Sequence, residues 1–146
     1  MKTNCIVLSD SDLADVRKEI VQIQSLVQTA AGALAVRIRT KAPRKSGDLI
    51  SGIIPSPWEE NSKYPGKIVR QVFFDAGMND TFVKMTKDGK RYYYPASQEY
   101  GFRIANRAGN KVKKVPGKFF MRSSYFEYIP IFENDVATLL EKVVGK

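Results

Sequence analysis

An α+β fold is predicted by three features of the sequence: a long amphipathic helix at the start, short strand-like segments in the middle and a helical segment at the end. Both helices are expected to pack on one face of a small antiparallel β-sheet. The chain has 146 residues, the length of one ordinary domain. We therefore expect a single domain, residues 1–146, that folds without the help of disulfide bonds.

The first helix is predicted from about Ser11 to about Thr40, and Pro43 prevents its continuation. Its apolar residues recur at alternating steps of three and four, the spacing of one helix face. They are Leu13, Val16, Ile20, Ile23, Val27, Ala30, Leu34 and Ile38. So narrow a stripe packs on one partner, which we expect to lie within the chain; a coiled coil between chains is the alternative.

Short elements are predicted between the helices. Ser46 can cap a helical turn through Leu49, and a strand begins at Ile53. Residues 67–74 form the clearest strand, and residues 76–80 form a turn. Residues 81–86 then pair with residues 91–94 through a hairpin turn at Asp88 and Gly89.

The last third of the chain is predicted to hold two helical segments and a loop. Residues 95–100 form a helical turn that ends at Gly101. The final helix runs from about Lys118 to Val144 and is broken or kinked at Pro130. Phe119 and Phe120 are expected to anchor this helix in the core.

The net charge of +9 is concentrated in one part of the chain. Residues 84–122 contain eleven basic and two acidic residues, so this part carries the whole excess. Within it, residues 103–117 are predicted to be a basic loop that is mobile until a partner orders it. The residues expected to face a polyanion, either DNA or an acidic protein, are Arg103, Arg107, Lys111, Lys113, Lys114 and Lys118. A second basic run extends from Arg37 to Lys45, and the alternative for both runs is an ordinary solvated surface.

Several function classes are excluded or disfavoured by what the sequence lacks. Without histidine, His-based catalytic triads, His–Cys dyads and histidine-containing zinc or iron sites are impossible. The single cysteine, Cys5, cannot form an intrachain disulfide. No carboxylate cluster or phosphate-binding glycine loop is recognisable. We therefore expect no catalytic residue, cofactor or metal, and we expect neither a membrane span nor an export signal.

Three consecutive tyrosines, Tyr92, Tyr93 and Tyr94, follow Lys90 and Arg91. They could form a stacking platform for single-stranded nucleic acid. The alternative is the alternation of a strand, which buries one tyrosine and exposes its neighbours, or the reverse.

Three short motifs occur in order between the two long helices. They are APRKSGDL at residues 42–49, YPASQEYG at residues 94–101 and PGKFFMR at residues 116–122. Over about residues 13–144, the chain resembles the neck or minor tail-component (tail completion) proteins of long-tailed phages and prophages. Ser46, Gln98 and Ser123 depart from that pattern, which more often has Thr, a small apolar residue and Pro.

The resemblance implies a structural role for six motif residues: Pro43, Gly47, Leu49, Glu99, Gly101 and Phe119. It also implies a virion protein that is made in the cytoplasm of a bacterial host and works as a ring subunit at the head–tail junction. The implied partners are copies of itself, other connector, neck and tail proteins, and, non-specifically, the packaged DNA. The alternative is a non-catalytic, basic nucleic-acid-binding module of a mobile element, and an enzyme is a distant third.

Independently of the resemblance, Glu99 stands near the C-terminus of a helical turn, where the helix dipole disfavours an acid. We therefore expect it to have a basic partner. The candidates are Arg44, Lys45, Arg103 and Arg122.

Overall fold

The computed structural model describes residues 10–56, 68–105 and 112–144. The helices and strands follow one another as α1 (Asp10–Lys41), α2 (Asp48–Ser51), β1 (Ile53–Pro55), β2 (Val72–Phe74), a 3-10 turn (Ala76–Met78), α3 (Asn79–Phe82), β3 (Val83–Met85), β4 (Arg91–Tyr93), α4 (Tyr94–Tyr100), β5 (Gly101–Ala105), β6 (Val112–Pro116) and α5 (Phe120–Val144). This is the α+β fold with two long helices that the sequence predicts.

The two long helices lie against each other and run in opposite directions. Lys41, at the end of α1, forms an ion pair with Glu127 near the start of α5. Val27, more than three turns earlier on α1, lines the same groove as Phe132, further along α5. α5 continues through Pro130 without the predicted break. The proline is exposed, so water can satisfy the carbonyl group that lacks an amide partner.

The β-structure consists of three separate antiparallel ladders of two strands each among the described residues. β1 pairs with β2, β3 with β4 and β5 with β6. The β3–β4 hairpin has the predicted turn, with Gly89 at a positive φ of 75°. A single sheet was expected, but each strand has only three to five residues and no third neighbour.

Several boundaries differ from the prediction. The strand predicted over residues 67–74 is paired only at Val72–Phe74, and Lys67 lies outside the described residues. The turn at residues 76–80 is helical and continues into α3, so the next strand begins at Val83 instead of residue 81. Ser46 does not cap α2, because the N-cap position is taken by Gly47 at a φ of 82°.

The core lies where the second half of α1 meets β1 and the start of α5. Its buried residues are Ala35, Ile38, Ala42, Leu49, Ile53 and Phe120. An aromatic group extends this core: the Phe74 ring meets Phe82, Tyr93 and Phe120 edge to face, at centroid distances of 5.8, 6.4 and 6.4 Å. This is a geometry that aromatic pairs favour. The β1–β2 and β3–β4 ladders thus contribute to one apolar centre.

Candidate interaction surface

A buried carboxylate fixes the start of α5. Glu99, at the end of α4, is 4% exposed. Its Oε2 accepts a hydrogen bond from the backbone N–H of Met121, and its Oε1 accepts one from Arg122, both at 3.0 Å. These N–H groups belong to the first turn of α5 and have no acceptor within that helix. The negative charge also lies at the positive end of the α5 dipole.

The prediction of a basic partner for Glu99 is therefore wrong. Among the described residues, no ion pair joins it to Arg44, Lys45, Arg103 or Arg122. The partner is a helix N-terminus, and Arg122 contributes its backbone amide instead of its guanidinium. The unfavourable position at the end of α4 is at the same time a favourable position at the start of α5.

Two glycines allow the backbone to cross itself next to this carboxylate. Gly101 has a φ of 83° and a ψ of −180°, a conformation that is essentially restricted to glycine. A Cβ at Gly101 would overlap the Val115 carbonyl oxygen, and a Cβ at Gly117 would overlap the Glu99 carbonyl oxygen. The amide of Lys118 also donates to the Gln98 carbonyl at 2.9 Å. We call the unit formed by Glu99, Gly101, Gly117 and the first turn of α5 the α4–α5 joint.

Phe119 and Phe120 have different environments in this joint. Phe120 is 1% exposed and is the core anchor that the sequence predicts. Phe119 is largely exposed, so its prediction as a core anchor is wrong. It has a positive φ of 48°, and its amide donates to the Glu99 carbonyl at 3.1 Å. The backbone turn at Phe119 directs the next residue into the core.

The described parts of the predicted basic loop, residues 103–105 and 112–117, lie mainly in two paired strands rooted in the joint, and residues 106–111 lie outside the described residues. β5 and β6 pair from Gly101 opposite Pro116 to Ala105 opposite Val112. The prediction relied on the scarcity of apolar residues, but the backbone pairing of this ladder does not require a buried face. Of the candidate partner-facing residues, Arg103, Lys113, Lys114 and Lys118 are exposed, whereas Arg107 and Lys111 lie outside the described residues.

One face of the hairpin carries a pair of like charges. Arg103 stands directly opposite Lys114 in the ladder, and like charges in that relation are destabilising. No acidic residue occurs between Gly101 and Lys118. The hairpin therefore presents uncompensated positive charge.

The other face of the hairpin is mostly apolar. It carries Phe102 opposite Val115, and Ile104 opposite Lys113. Phe102 and Ile104 are 41% and 48% exposed. An isolated two-stranded ladder is only marginally stable in water, so a partner that covers this face would stabilise it.

The second basic run is largely used inside the molecule. Arg39 donates from Nε and Nη2 to the Ile53 carbonyl at 2.9 and 2.6 Å, and so attaches α1 to β1. The guanidinium of Arg37 lies over the Tyr128 ring, and Lys41 pairs with Glu127. This run therefore holds α1, β1 and α5 together.

The three tyrosines do not form a common platform. Tyr92 is exposed, whereas Tyr93 packs edge to face against Phe82 and Phe74. Burial raises the pKa of the Tyr93 phenol. Tyr94 packs against the core. The strand alternation that the sequence offered as the alternative holds for Tyr92 and Tyr93 only, because the strand ends at Tyr93 and Tyr94 is the first residue of α4. Of the three tyrosines, Tyr92 alone is exposed.

The first half of α1 presents an exposed apolar surface, although packing within the chain was expected for the whole stripe. The apolar stripe is covered within the chain around Ala30 and Ile38, but Leu13, Val16, Ile20 and the neighbouring Val21 are exposed. The expectation that the whole stripe packs inside the chain is thus wrong for its first half. The unbroken repeat conceals this change, because a repeat reports one helix face and not what covers it.

A groove of about 280 Å³ lies between α1, residues 68–72 and α5. Its walls are mainly apolar, with Val27, Leu34 and Phe132 among the lining residues. Arg70 also lines the groove, and its Nε donates a hydrogen bond to Gln28 Oε1 at 2.7 Å. In the part of the chain that the structure describes, no group of three or more acidic or cysteine residues could hold a metal ion, and no helix is long and apolar enough to cross a membrane.

The motif residues meet in two places. Pro43 and Gly47 form the corner between α1 and α2, which buries Leu49 in the same cluster as Phe120. Glu99, Gly101 and Phe119 meet in the α4–α5 joint. The chain matches no family model, and neither a search of curated proteins nor a search of solved structures finds a similar protein.

Proposed function

We propose that this protein is a structural subunit of a tailed phage or prophage that forms part of a ring at the head–tail junction. The observation that carries the proposal is the convergence of the three motifs. Glu99 of the second motif caps the helix that begins in the third motif, and Leu49 of the first motif packs with Phe120 of the third. Residues far apart in the sequence thus form one unit, which supports reading the three motifs as one set and not as three chance matches.

The exposed surfaces suit a subunit that works by contact with other proteins. The hairpin carries unopposed positive charge on one face and exposed apolar residues on the other, which favours an acidic and partly apolar protein partner. In this proposal the partners are further copies of the chain and other connector, neck and tail proteins. The protein's place is the virion, where packaged DNA can make additional non-specific contacts.

The test is deletion of the gene from the phage or prophage that encodes it, followed by electron microscopy of the lysate. We expect filled heads and complete tails that are not joined. Restoring the gene from a plasmid should restore joined particles. Joined, infectious particles in the deletion strain would overturn the proposal. Genes for portal and major capsid proteins upstream, and for a tail tube protein downstream, would support it independently.

The second candidate is a nucleic-acid-binding module, and the like-charged pair Arg103 and Lys114 favours it. The two candidates differ in the salt dependence of DNA binding. Contacts with phosphate alone weaken steeply with salt, with a slope of about −0.9 per contact in log affinity against log salt. A specific module retains nanomolar binding at about 150 mM salt.

Gel shifts over a salt series distinguish the candidates. For the junction subunit we expect weak DNA binding that is lost near physiological salt and is unchanged by Tyr92→Ala. Tight, salt-resistant binding that falls with Tyr92→Ala would contradict the junction assignment, since stacking contributes about 1–3 kcal/mol per base. Tyr93→Ala is not a suitable probe, because that ring lies in the aromatic core.

A further inference from the structure

The β5–β6 ladder has an open edge along β5. Among the described residues the ladder consists of two strands only, so β5 has no neighbouring strand on the side away from β6. Apart from β6 and the preceding helix α4, no described helix or strand contacts β5 extensively. Alternate residues of an antiparallel strand direct their N–H and C=O groups to opposite sides, so those residues of β5 that do not bond to β6 direct these groups to the open side. This edge can therefore receive a third strand.

The other edge of the ladder, along β6, is less suited to a third strand. β6 ends at Pro116, which has no N–H group to donate. Lys113 and Lys114 follow each other in this strand, so each face carries a lysine. Lysines on an edge strand oppose the addition of another strand.

The faces of β5 are open as well as its edge. Its single charged residue, Arg103, lies between Phe102 and Ile104, and all three are exposed. The strands of the other two ladders have only three residues each and place side chains such as Phe74 and Tyr93 in the core. An isolated ladder of two strands is only marginally stable in water, so a third strand would stabilise β5 and β6.

The side chains of the ladder specify what the third strand carries. Arg103 stands opposite Lys114, with no acid in either strand. One residue of a third strand lies directly opposite Arg103 on the same face, and a carboxylate there compensates the repelling pair. The residues on either side of it lie opposite Phe102 and Ile104, where apolar side chains extend and cover the apolar face. The complementary pattern is therefore apolar, acidic, apolar.

A second copy of the hairpin does not offer that pattern. Two β5 edges that pair about a two-fold axis through their middle residues place the two Arg103 side chains directly opposite each other, which is destabilising. Neither β5 nor β6 contains an acid, so no register with either strand of a second copy compensates the charge. The charge of the ladder thus favours a segment of a different protein.

We infer that the open edge of β5 binds an extended acidic segment of another protein by strand addition, with a carboxylate opposite Arg103 and apolar residues opposite Phe102 and Ile104. Main-chain hydrogen bonds supply the affinity in this mode of binding, and alternate side chains supply the specificity. The inference rests on the proposed function, because it names the contact by which the hairpin binds a neighbouring protein of the junction.

The test is an NMR titration of the whole protein at low salt with a capped peptide, Thr-Val-Glu-Val-Thr. Its pattern is the same in both directions, so it can add parallel or antiparallel to β5. At millimolar peptide we expect the amide signals of β5 to shift and the hydrogen exchange of these amides to slow. Thr-Val-Lys-Val-Thr should bind about three-fold more weakly or worse, because its lysine faces Arg103. The glutamate peptide with N-methyl groups on its three central residues should not bind, because it lacks the N–H donors.

A reversed charge on β5 should reverse the preference. Arg103→Glu should bind the lysine peptide more tightly than the glutamate peptide. Arg91→Glu, at an exposed position opposite Met85 in the other hairpin, changes the net charge equally and should keep the preference of the wild type. If Arg103→Glu fails to fold, the three peptides on the wild type decide the matter alone.

Four outcomes would overturn the inference. They are no shift in β5 with the glutamate peptide, shifts along β6 instead, equal binding of the glutamate and lysine peptides, and binding that survives N-methylation. If oligothymidylate shifts the β5 amides and the glutamate peptide does not, the edge belongs to a nucleic-acid surface and the inference fails.

Failure of the inference and failure of the proposed function are distinguishable. If the peptides do not bind but the deletion strain makes separate heads and tails, the contact is wrong and the proposed function stands. If the deletion strain makes joined particles, the proposed function fails whatever the peptides show.

Discussion

The α4–α5 joint and the β5–β6 hairpin are neighbours in the chain, but charge is compensated in the joint and uncompensated in the hairpin. In the joint, the buried carboxylate of Glu99 has two backbone donors and a helix dipole to compensate it. In the hairpin, Arg103 and Lys114 face each other with no acid in the strands. The charge of Glu99 therefore stabilises the fold, whereas the charges of Arg103 and Lys114 have no compensating acid in the strands and are available to a partner.

The largest effect is expected for the backbone crossing in the joint. Gly101→Ala should lower the free energy of unfolding by about 3 kcal/mol, because the conformation is strained for any residue with a Cβ and that Cβ meets the backbone of Val115. Gly89→Ala is the matched control, with a similar positive φ but open space around its Cβ, and should cost about 1 kcal/mol. Urea denaturation measures both. Equal costs would show that the close approach at Gly101 contributes nothing.

Glu99→Ala should cost about 2–3 kcal/mol, because two amides of the first turn of α5 lose a charged acceptor in a buried place. Glu133→Ala, on the exposed part of the same helix, should stay within about 0.5 kcal/mol. The same denaturation experiment compares them. A similar, small change for both variants would contradict the capping role of Glu99.

The sequence predicts some elements of this structure correctly and others wrongly, and the difference depends on whether a residue's partners are near it in the sequence. Local signals suffice where a residue's neighbours in the sequence determine its conformation: α1, the hairpin turn at Gly89 and the helical turn α4. They fail for Glu99 because its partner is the beginning of a helix 22 residues away. The positions of charged side chains in the sequence do not show which backbone N–H groups are free to donate. The expected partner of Glu99 was therefore a basic side chain, whereas its actual partners are backbone amides.

The surface was also only partly predictable. The composition of residues 103–117 indicates positive charge correctly but not the ladder, because backbone pairing between two exposed strands leaves little apolar pattern. For α1, the heptad stripe predicts one apolar face along its whole length. Only the position of the other elements decides that Ile38 is buried and Leu13 is exposed.

Arg103→Glu tests whether the like-charged pair in the hairpin lowers the stability of the protein. It converts a repulsive cross-strand pair into an attractive one with Lys114, and should stabilise the isolated protein by about 0.5 kcal/mol. Arg91→Glu, which stands opposite Met85 in the other hairpin, controls for the change in net charge and should give a smaller gain. Thermal melts at low salt measure the difference. A loss of stability with Arg103→Glu would show that the arginine has a structural role.

The smallest effect concerns pH. Because burial raises the pKa of Tyr93, its phenol stays neutral in the folded chain when the unfolded chain begins to ionise near pH 10. Stability therefore falls as the pH rises above 10. Tyr93→Phe should lessen that fall, whereas Tyr92→Phe, on the exposed side of β4, should not. Stability curves between pH 8 and about 11 check this, and identical slopes for the two variants would contradict it.

The most direct test of the whole account is particle assembly with a hairpin that is folded but reversed in charge. Lys113→Glu with Lys114→Glu is introduced into the gene in its phage or prophage, beside Lys84→Glu with Lys87→Glu as the control, and joined particles are counted by electron microscopy. The account predicts normal melting for both purified proteins, joined particles for the control, and separate heads and tails for the hairpin variant. Joined particles at the wild-type yield from the hairpin variant would contradict it.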